Sequence, residues 1–305
     1  MTIVSILKVV LVMLLWAACY PLITAGIQLA PHMSFAALRA LLAGSALTLV
    51  AMTLRRPAPK QLRDWGLLAL IGFGATSLGF VGMFHAAAYV APGVATVIAN
   101  TQPLLAAVLA GAVLKERLTP RGAAGLALGF LGIVVIASPQ LLSGASRTYL
   151  LGVGFIVLAA LGITIGNVLI KRIAGRVDAM MAMGLQMLMG SLPLILTAAL
   201  TERPADIHWS FAFIWILLAL GLLGTALAYW LWFSVLEATP LNQANAFSFL
   251  TPIFGLAMGS VFYREVLDWP VFVGAGLTFL GVGLMARGGT VASEATVGPD
   301  DRSKP

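Results

Sequence analysis

Side chains able to do chemistry are few in this chain and stand far apart. The three histidines, His32, His85 and His208, lie on separate segments. The 11 acidic residues show no paired or metal-ligand spacing, so neither a metal centre nor a general acid–base pair is expected. The single cysteine, Cys19, excludes a disulfide framework and a thiolate cluster. No phosphate-cradling loop or dinucleotide fingerprint occurs, which removes support for ATP-driven pumping. An enzyme, a resident metal and a cofactor are therefore not expected.

What remains is a set of polar and aromatic residues at helical spacing. Trp16, Tyr20 and Thr24 recur every fourth residue and share one face, with Pro21 among them. They fit either a pocket wall with a hinge or packed aromatics around a kink. Ser77, Phe80 and Phe84 share another face, with His85 beside it. A membrane histidine is costly when charged and should face protein or a cavity. Its ordinary pKa near neutrality suits a proton relay, and a neutral structural role fits equally. Thr96, Asn100 and Pro103 form a third face, and Asn245, Ser248 and Pro252 a fourth. Each proline frees an upstream carbonyl, which at membrane depth needs protein or water to meet it. Thr164 with Asn167, and Tyr229, Trp232 and Phe233, complete the candidate lining. Such a pocket could stack a flat apolar ligand at about 0.5–1.5 kcal/mol per ring contact. Its amide and hydroxyl groups could meet a carboxylate and an ammonium. The bland reading is aromatic packing and interhelical hydrogen bonds.

The elements that must carry these residues follow from composition. Of 305 residues, 60% are hydrophobic and 10% charged, too few polar groups to cover a soluble surface. Spans of roughly 20 apolar residues are expected at 4–25, 34–54, 65–88, 93–114, 121–138, 149–170, 179–200, 210–236, 242–262 and 270–287. The first could pass for a signal peptide, but nine spans follow it, and a retained helix is expected. The polar stretch 288–305 reads as a disordered tail. Gly125 with Gly129, and Gly162 with Gly166, have the spacing of closely packed helices.

The net charge of +7 marks membrane-protein loops here rather than a nucleic-acid partner. With these spans, fourteen Lys and Arg residues fall on one side and four (Arg39, Arg147, Arg203 and Arg264) on the other. The bias puts both termini in the cytoplasm, as an even number of spans requires.

An internal repeat organises the spans. Pro103, Lys115, Glu116, Gly125 and Phe130-Leu131-Gly132 match Pro252, Arg264, Glu265, Gly274 and Phe279-Leu280-Gly281 at a constant offset of 149. Leu38-Arg39 matches Leu185-Gln186 at 147, and Trp65 with its Leu-Leu-Ala-Leu matches Trp215 at 150. Five spans per copy is odd, so the second copy enters the membrane from the opposite side. Inverted repeats of this kind are typical of secondary carriers with a site between the halves.

Two five-span copies resemble the EamA-type drug/metabolite transporters. Each has a Pro in its fourth span, as in Gln102-Pro103 and Thr251-Pro252. Each then has a basic-Glu-x-Leu turn, Lys115-Glu116-Arg117-Leu118 and Arg264-Glu265-Val266-Leu267, and a Gly-rich fifth span. Trp16 and Arg39 also fit. The resemblance implies a bacterial inner-membrane carrier of small metabolites, often an exporter, with the aromatic amino-acid exporters most similar. The chain departs from the four-helix multidrug members in lacking an acid in its first span. Its basic residues are expected near helix ends, which speaks against phosphate-bearing substrates.

The expected fold is therefore an all-α integral membrane protein, with ten transmembrane helices as two inverted five-helix repeats around a central cavity. The first repeat covers 1–143, the second 144–287, and the tail 288–305. The expected function is export of amino acids, including aromatic ones, by alternating access. A multidrug or other metabolite efflux carrier is the alternative, and a channel fits the internal repeat less well. The partners are a small-molecule substrate and the lipid bilayer, in a monomer or weak homo-oligomer. No acid lies in the middle third of any span, so a facilitator fits. A proton antiporter through His85 or a helix-end acid stays open.

Overall fold

The computed structural model describes residues 3–102, 104–105, 117–142, 147–173, 175–238, 247, 250–286 and 290–291. The first helix, α1, runs over Ile3–Ala17 and Cys19–Gly26 with a turn at Ala18 between them. Pro21 cannot donate to the carbonyl of Ala17, four residues back, and the helix breaks there. Helix α2 covers His32–Thr53. Helix α3 is composite: α-helical at Leu62–Ile71, π-helical at Gly72–Leu78, and α-helical again at Gly79–Ala86. Helix α4, Pro92–Ala99, ends with Asn100 as its cap. Helices α5 (Pro120–Leu142), α6 (Arg147–Ile173) and α7 (Ala179–Thr201) follow. Helix α8 repeats the composite plan of α3, with a π-helical Ala219–Leu227 between Phe211–Leu218 and Ala228–Ala238. Helices α9 (Leu250–Tyr263) and α10 (Trp269–Ala286) close the series.

Six helices are long and apolar enough to cross a membrane, and Pro120–Ile136, Leu250–Tyr263 and Trp269–Gly281 are shorter apolar helices. The chain is thus a predominantly helical, multi-pass membrane protein. One pairing reaches the start of the tail. Strands β1 (Arg117–Leu118) and β2 (Thr290–Val291) pair antiparallel, with Arg117 opposite Val291. Two residues of the stretch expected to be disordered are thereby tied to the turn before α5.

Two antiparallel crossings hold the helices together. In the first, a Cβ placed at Gly44 of α2 would stand 2.9 Å from the amide nitrogen of Leu188 in α7. One turn further along α2, Thr48 lies against Gly184, so the two helices run in opposite directions. In the second, Gly132 of α5 faces Gly274 of α10, and Gly125 faces Gly281. The spacing of Gly162 and Gly166 is used as expected: Gly162 lies on the carbonyl of Gly74 and Gly166 on Ala75, both in the π segment of α3. Lys8 donates to Ser234 of α8 at 3.2 Å.

Candidate functional site

The polar interior is organised around the two π segments. A π turn adds a residue and leaves the local backbone ladder misaligned, and such turns concentrate at functional sites. In α8, the Thr225 hydroxyl donates to the Leu220 carbonyl five residues back, at 2.7 Å. The same hydroxyl oxygen accepts from Nε of Arg39 at 2.9 Å. In α3, the Thr76 hydroxyl donates to Oε1 of Gln186 at 2.9 Å. Thr225 lies 149 positions after Thr76, and Gln186 lies 147 after Arg39. The two bonds therefore join matching positions reciprocally: α2 reaches the π segment of α8, and α7 reaches that of α3.

Arg39 overturns an expectation. It was counted with the charges of one membrane face, yet it is 3% exposed and is the eighth residue of α2. Seven residues of rise place it roughly 10 Å into the span. The argument against a deep basic residue therefore fails at this position. A second guanidinium nitrogen donates to Cys19 Sγ at 3.4 Å. The guanidinium carbon lies 4.4 Å from the centre of the Phe80 ring and 5.9 Å from that of Phe84. Among the described residues the third nitrogen has no partner, and neither has the buried hydroxyl of Tyr20. The ion pairs found among the described residues, Arg56–Asp178 and Arg176–Asp64, do not involve Arg39.

Several expected lining residues gather nearby. Trp16 meets the Tyr229 ring edge-on at 5.8 Å and the Trp232 ring at 5.4 Å, joining α1 to α8. Tyr20 packs in one cluster with Ala95 and Ile98 of α4. Tyr229 also lines a cleft with Arg56, Asp178 and Met183 at the end rich in basic residues. Among the described residues, the buried amide nitrogen of Asn100 has no partner. Pro252 is buried near the start of α9.

Others serve the scaffold instead. Ser77 donates to the Gly190 carbonyl of α7 at 2.7 Å, and Thr164 to the Ala160 carbonyl of its own helix at 2.7 Å. The Thr96 hydroxyl donates to the Gly93 carbonyl at 2.6 Å. Asn167 is exposed on α6, while Thr164 is buried. His85 bonds the Val81 carbonyl through Nδ1 at 2.9 Å and stacks on Phe155. Its ring also meets His32 edge-on at 5.3 Å. Pro103, Asn245 and Ser248 lie outside the described residues, as does the side chain of Phe233.

The end opposite the basic residues is tied shut. Glu202, just past α7, accepts from the backbone amides of Met33 and Ser34 at 2.8 and 2.7 Å and from the Ser34 hydroxyl at 2.8 Å. Those amides are free donors at the start of α2, a favoured place for a carboxylate. Glu265, between α9 and α10, likewise accepts from Gly93 in the first turn of α4 at 2.8 Å. Burial pushes the Glu265 carboxyl above its ordinary range, opposed by the Gly93 amide. The Tyr263 hydroxyl donates to the Pro21 carbonyl, joining the end of α9 to α1.

The EamA-like transporter family matches this chain twice, over residues 3–138 and again over 150–287. The chain belongs to the EamA-like transporter family. Members and relatives agree along nearly its whole length. An uncharacterized transporter of Synechocystis is 30% identical over 82% of this chain and 80% of its own. A probable amino-acid metabolite efflux pump of Salmonella typhimurium is 28% identical over 94% of this chain and 96% of its own. A crystal structure superposes with a TM-score of 0.67 at 20% identity, over 94% of this chain and 99% of that one, a likeness of fold alone. Arg39, Thr225, Trp16, Tyr229 and Trp232 stand where helices of both matched segments meet.

Sequence reasoning missed Arg39, Cys19, Thr225 and the Thr76–Gln186 pair as members of the interior. A signal was present, since Arg39 and Gln186 already aligned at the repeat offset.

Proposed function

We propose that this membrane transporter is a secondary carrier that exports small metabolites, amino acids and aromatic ones among them, by alternating access. Its two matched segments act as inverted five-helix halves, with both termini in the cytoplasm of a bacterial inner membrane. The observation that carries the reading is the reciprocal pair of bonds, Arg39 to Thr225 and Thr76 to Gln186, linking equivalent positions of the two segments. The antiparallel course of α2 against α7 and of α5 against α10 supports the inversion, because equivalent helices of an inverted repeat oppose each other.

The aromatic cluster of Trp16, Tyr229 and Trp232 offers stacking surfaces for an apolar side chain. The cleft at Tyr229 lies at the basic end, and the carboxylate ties lie at the other. The name of the Salmonella relative favours amino-acid metabolites over drugs.

The test is counterflow and uptake of labelled amino acids in proteoliposomes, with and without an imposed pH gradient. Saturable uptake is expected, and its response to the gradient separates facilitator from antiporter. Bridging cysteines placed at Ser34 and Glu202, in a Cys19→Ser background, should stop transport until the bridge is cleaved. Transport that continues through an intact bridge overturns alternating access.

A further inference from the structure

We propose that Arg39 is the anion-recognition point of the transport site and that the transported substrate carries a carboxylate. The inference deepens the carrier reading and rests on it.

A guanidinium at membrane depth is normally paired with a carboxylate or lines a watery pathway. Arg39 has neither arrangement among the described residues. Its bonds go to a threonine hydroxyl and a cysteine sulfur, and its flank lies over two phenyl rings. These contacts hold the group without neutralising it. Arginine keeps its charge and presents a planar fork matched to carboxylate geometry. One arm of that fork, the third nitrogen, has no partner. The Tyr20 hydroxyl is also buried and unpartnered, and it lies within electrostatic reach of Arg39. Two donors, one of them charged, thus face no acceptor.

The matching position in the other segment shows that the fold does not require this charge. Gln186 is as deeply buried as Arg39 and bonds the equivalent threonine in the opposite sense, its Oε1 accepting from Thr76 where Arg39 donates to Thr225, yet it is neutral. A glutamine meets the structural need. The positive charge on one side only is therefore surplus to the scaffold, and it breaks the symmetry of the site in favour of an anion. The apolar surroundings limit that anion to one matched charge. Phe80 and Phe84 beside the guanidinium supply apolar surface for the remainder of the molecule, so a small monocarboxylate, zwitterionic or simple, fits the chemistry.

The experiment uses the full-length protein in proteoliposomes and three probes: phenylalanine, 3-phenylpropanoate and phenethylamine. They share a ring and differ in carboxylate and ammonium. Wild-type protein should move both carboxylates and ignore the amine. Movement of both acids shows that the carboxylate alone is read, while movement of phenylalanine alone adds a second contact to the ammonium.

The Arg39→Gln variant copies the Gln186 side. It should insert and melt within a few degrees of wild type while losing at least tenfold in apparent affinity for the carboxylates. Arg39→Lys, which keeps the charge but not the fork, should fall between them. An Arg39→Gln protein that transports normally overturns the proposal, and so does one that fails to fold, since the charge would then be structural. A wild-type protein that moves phenethylamine but neither acid overturns the anion site and leaves the carrier standing. One that moves none of the three removes both.

Discussion

The seam between α3 and α6 gives the sharpest test of how the helices are held. A Cβ built at Gly162 would stand 2.5 Å from the Gly74 carbonyl oxygen, 2.8 Å from the Leu78 Cβ and 3.2 Å from the Gly79 amide nitrogen. Eight residues earlier on the same helix, Gly154 has nothing within 4 Å. Alanine raises helix propensity over glycine by about 1 kcal/mol at either site. That gain cancels when the two variants are compared, so their difference isolates the overlap.

The obstacle at Gly162 is backbone in the π segment, which cannot turn aside as a side chain would. Overpacking of this kind costs about 1–3 kcal/mol. At roughly 2–4 °C per kcal/mol, Gly162→Ala should melt about 2–12 °C below Gly154→Ala. Thermal unfolding in detergent, followed by fluorescence-detected gel filtration, measures both. Equal melting temperatures would refute the close approach and the packing role of the Gly162–Gly166 spacing.

Three further outcomes are expected. Thr76→Val leaves Oε1 of Gln186 without its donor and should cost about 1–3 kcal/mol in the same melt. Adding Gln186→Leu should recover part of that loss, and no recovery would deny the bond its place. Glu202→Ala removes the acceptor for three donors at the start of α2 and should cost about 1–2 kcal/mol, with Glu202→Gln intermediate. For Glu265 the folded protein holds its proton more tightly than the unfolded chain does. Stability from this group is therefore greatest at low pH and declines as pH rises through the interval above its ordinary value of 4.5. Glu265→Gln should flatten that decline in melts between about pH 4 and 8, and an unchanged slope would assign it to other groups.

Much of the architecture was legible because the bilayer imposes it. Apolar runs had to be helices, so α1, α2, α6 and α7 fall within a few residues of their expected spans. Pro21 announced the break in α1, since a missing donor has a local effect. The π segments were not foreseen, because a reading built on 3.6 residues per turn has no place for an extra residue. Arg39 was misplaced for a related reason. A charge seven residues into a helix looks like an end residue in a window, and only the arrival of Cys19, Thr225 and Phe80 encloses it. Thr164 is buried while Asn167, three residues later, is exposed, a difference that spacing alone does not set. Ser77 and Thr164 were legible as interior residues, but not as groups whose hydroxyls bond to helix carbonyls.

The bond from Arg39 to Thr225 spans 186 residues of chain. Ribosomes add about 5–20 residues per second, so Arg39 is made roughly 10–40 s before its acceptor exists. Throughout that interval α2 must shelter a charge whose hydroxyl partner has not yet been translated. The nascent first segment is then a client in need of a holding environment, whether insertion machinery, headgroups or the water at the bilayer edge. Release from that custody comes only when α8 enters the membrane. Synthesis of this transporter therefore has a late commitment point, and a ribosome stalled before residue 225 would leave behind a quality-control substrate marked by its own unmatched arginine.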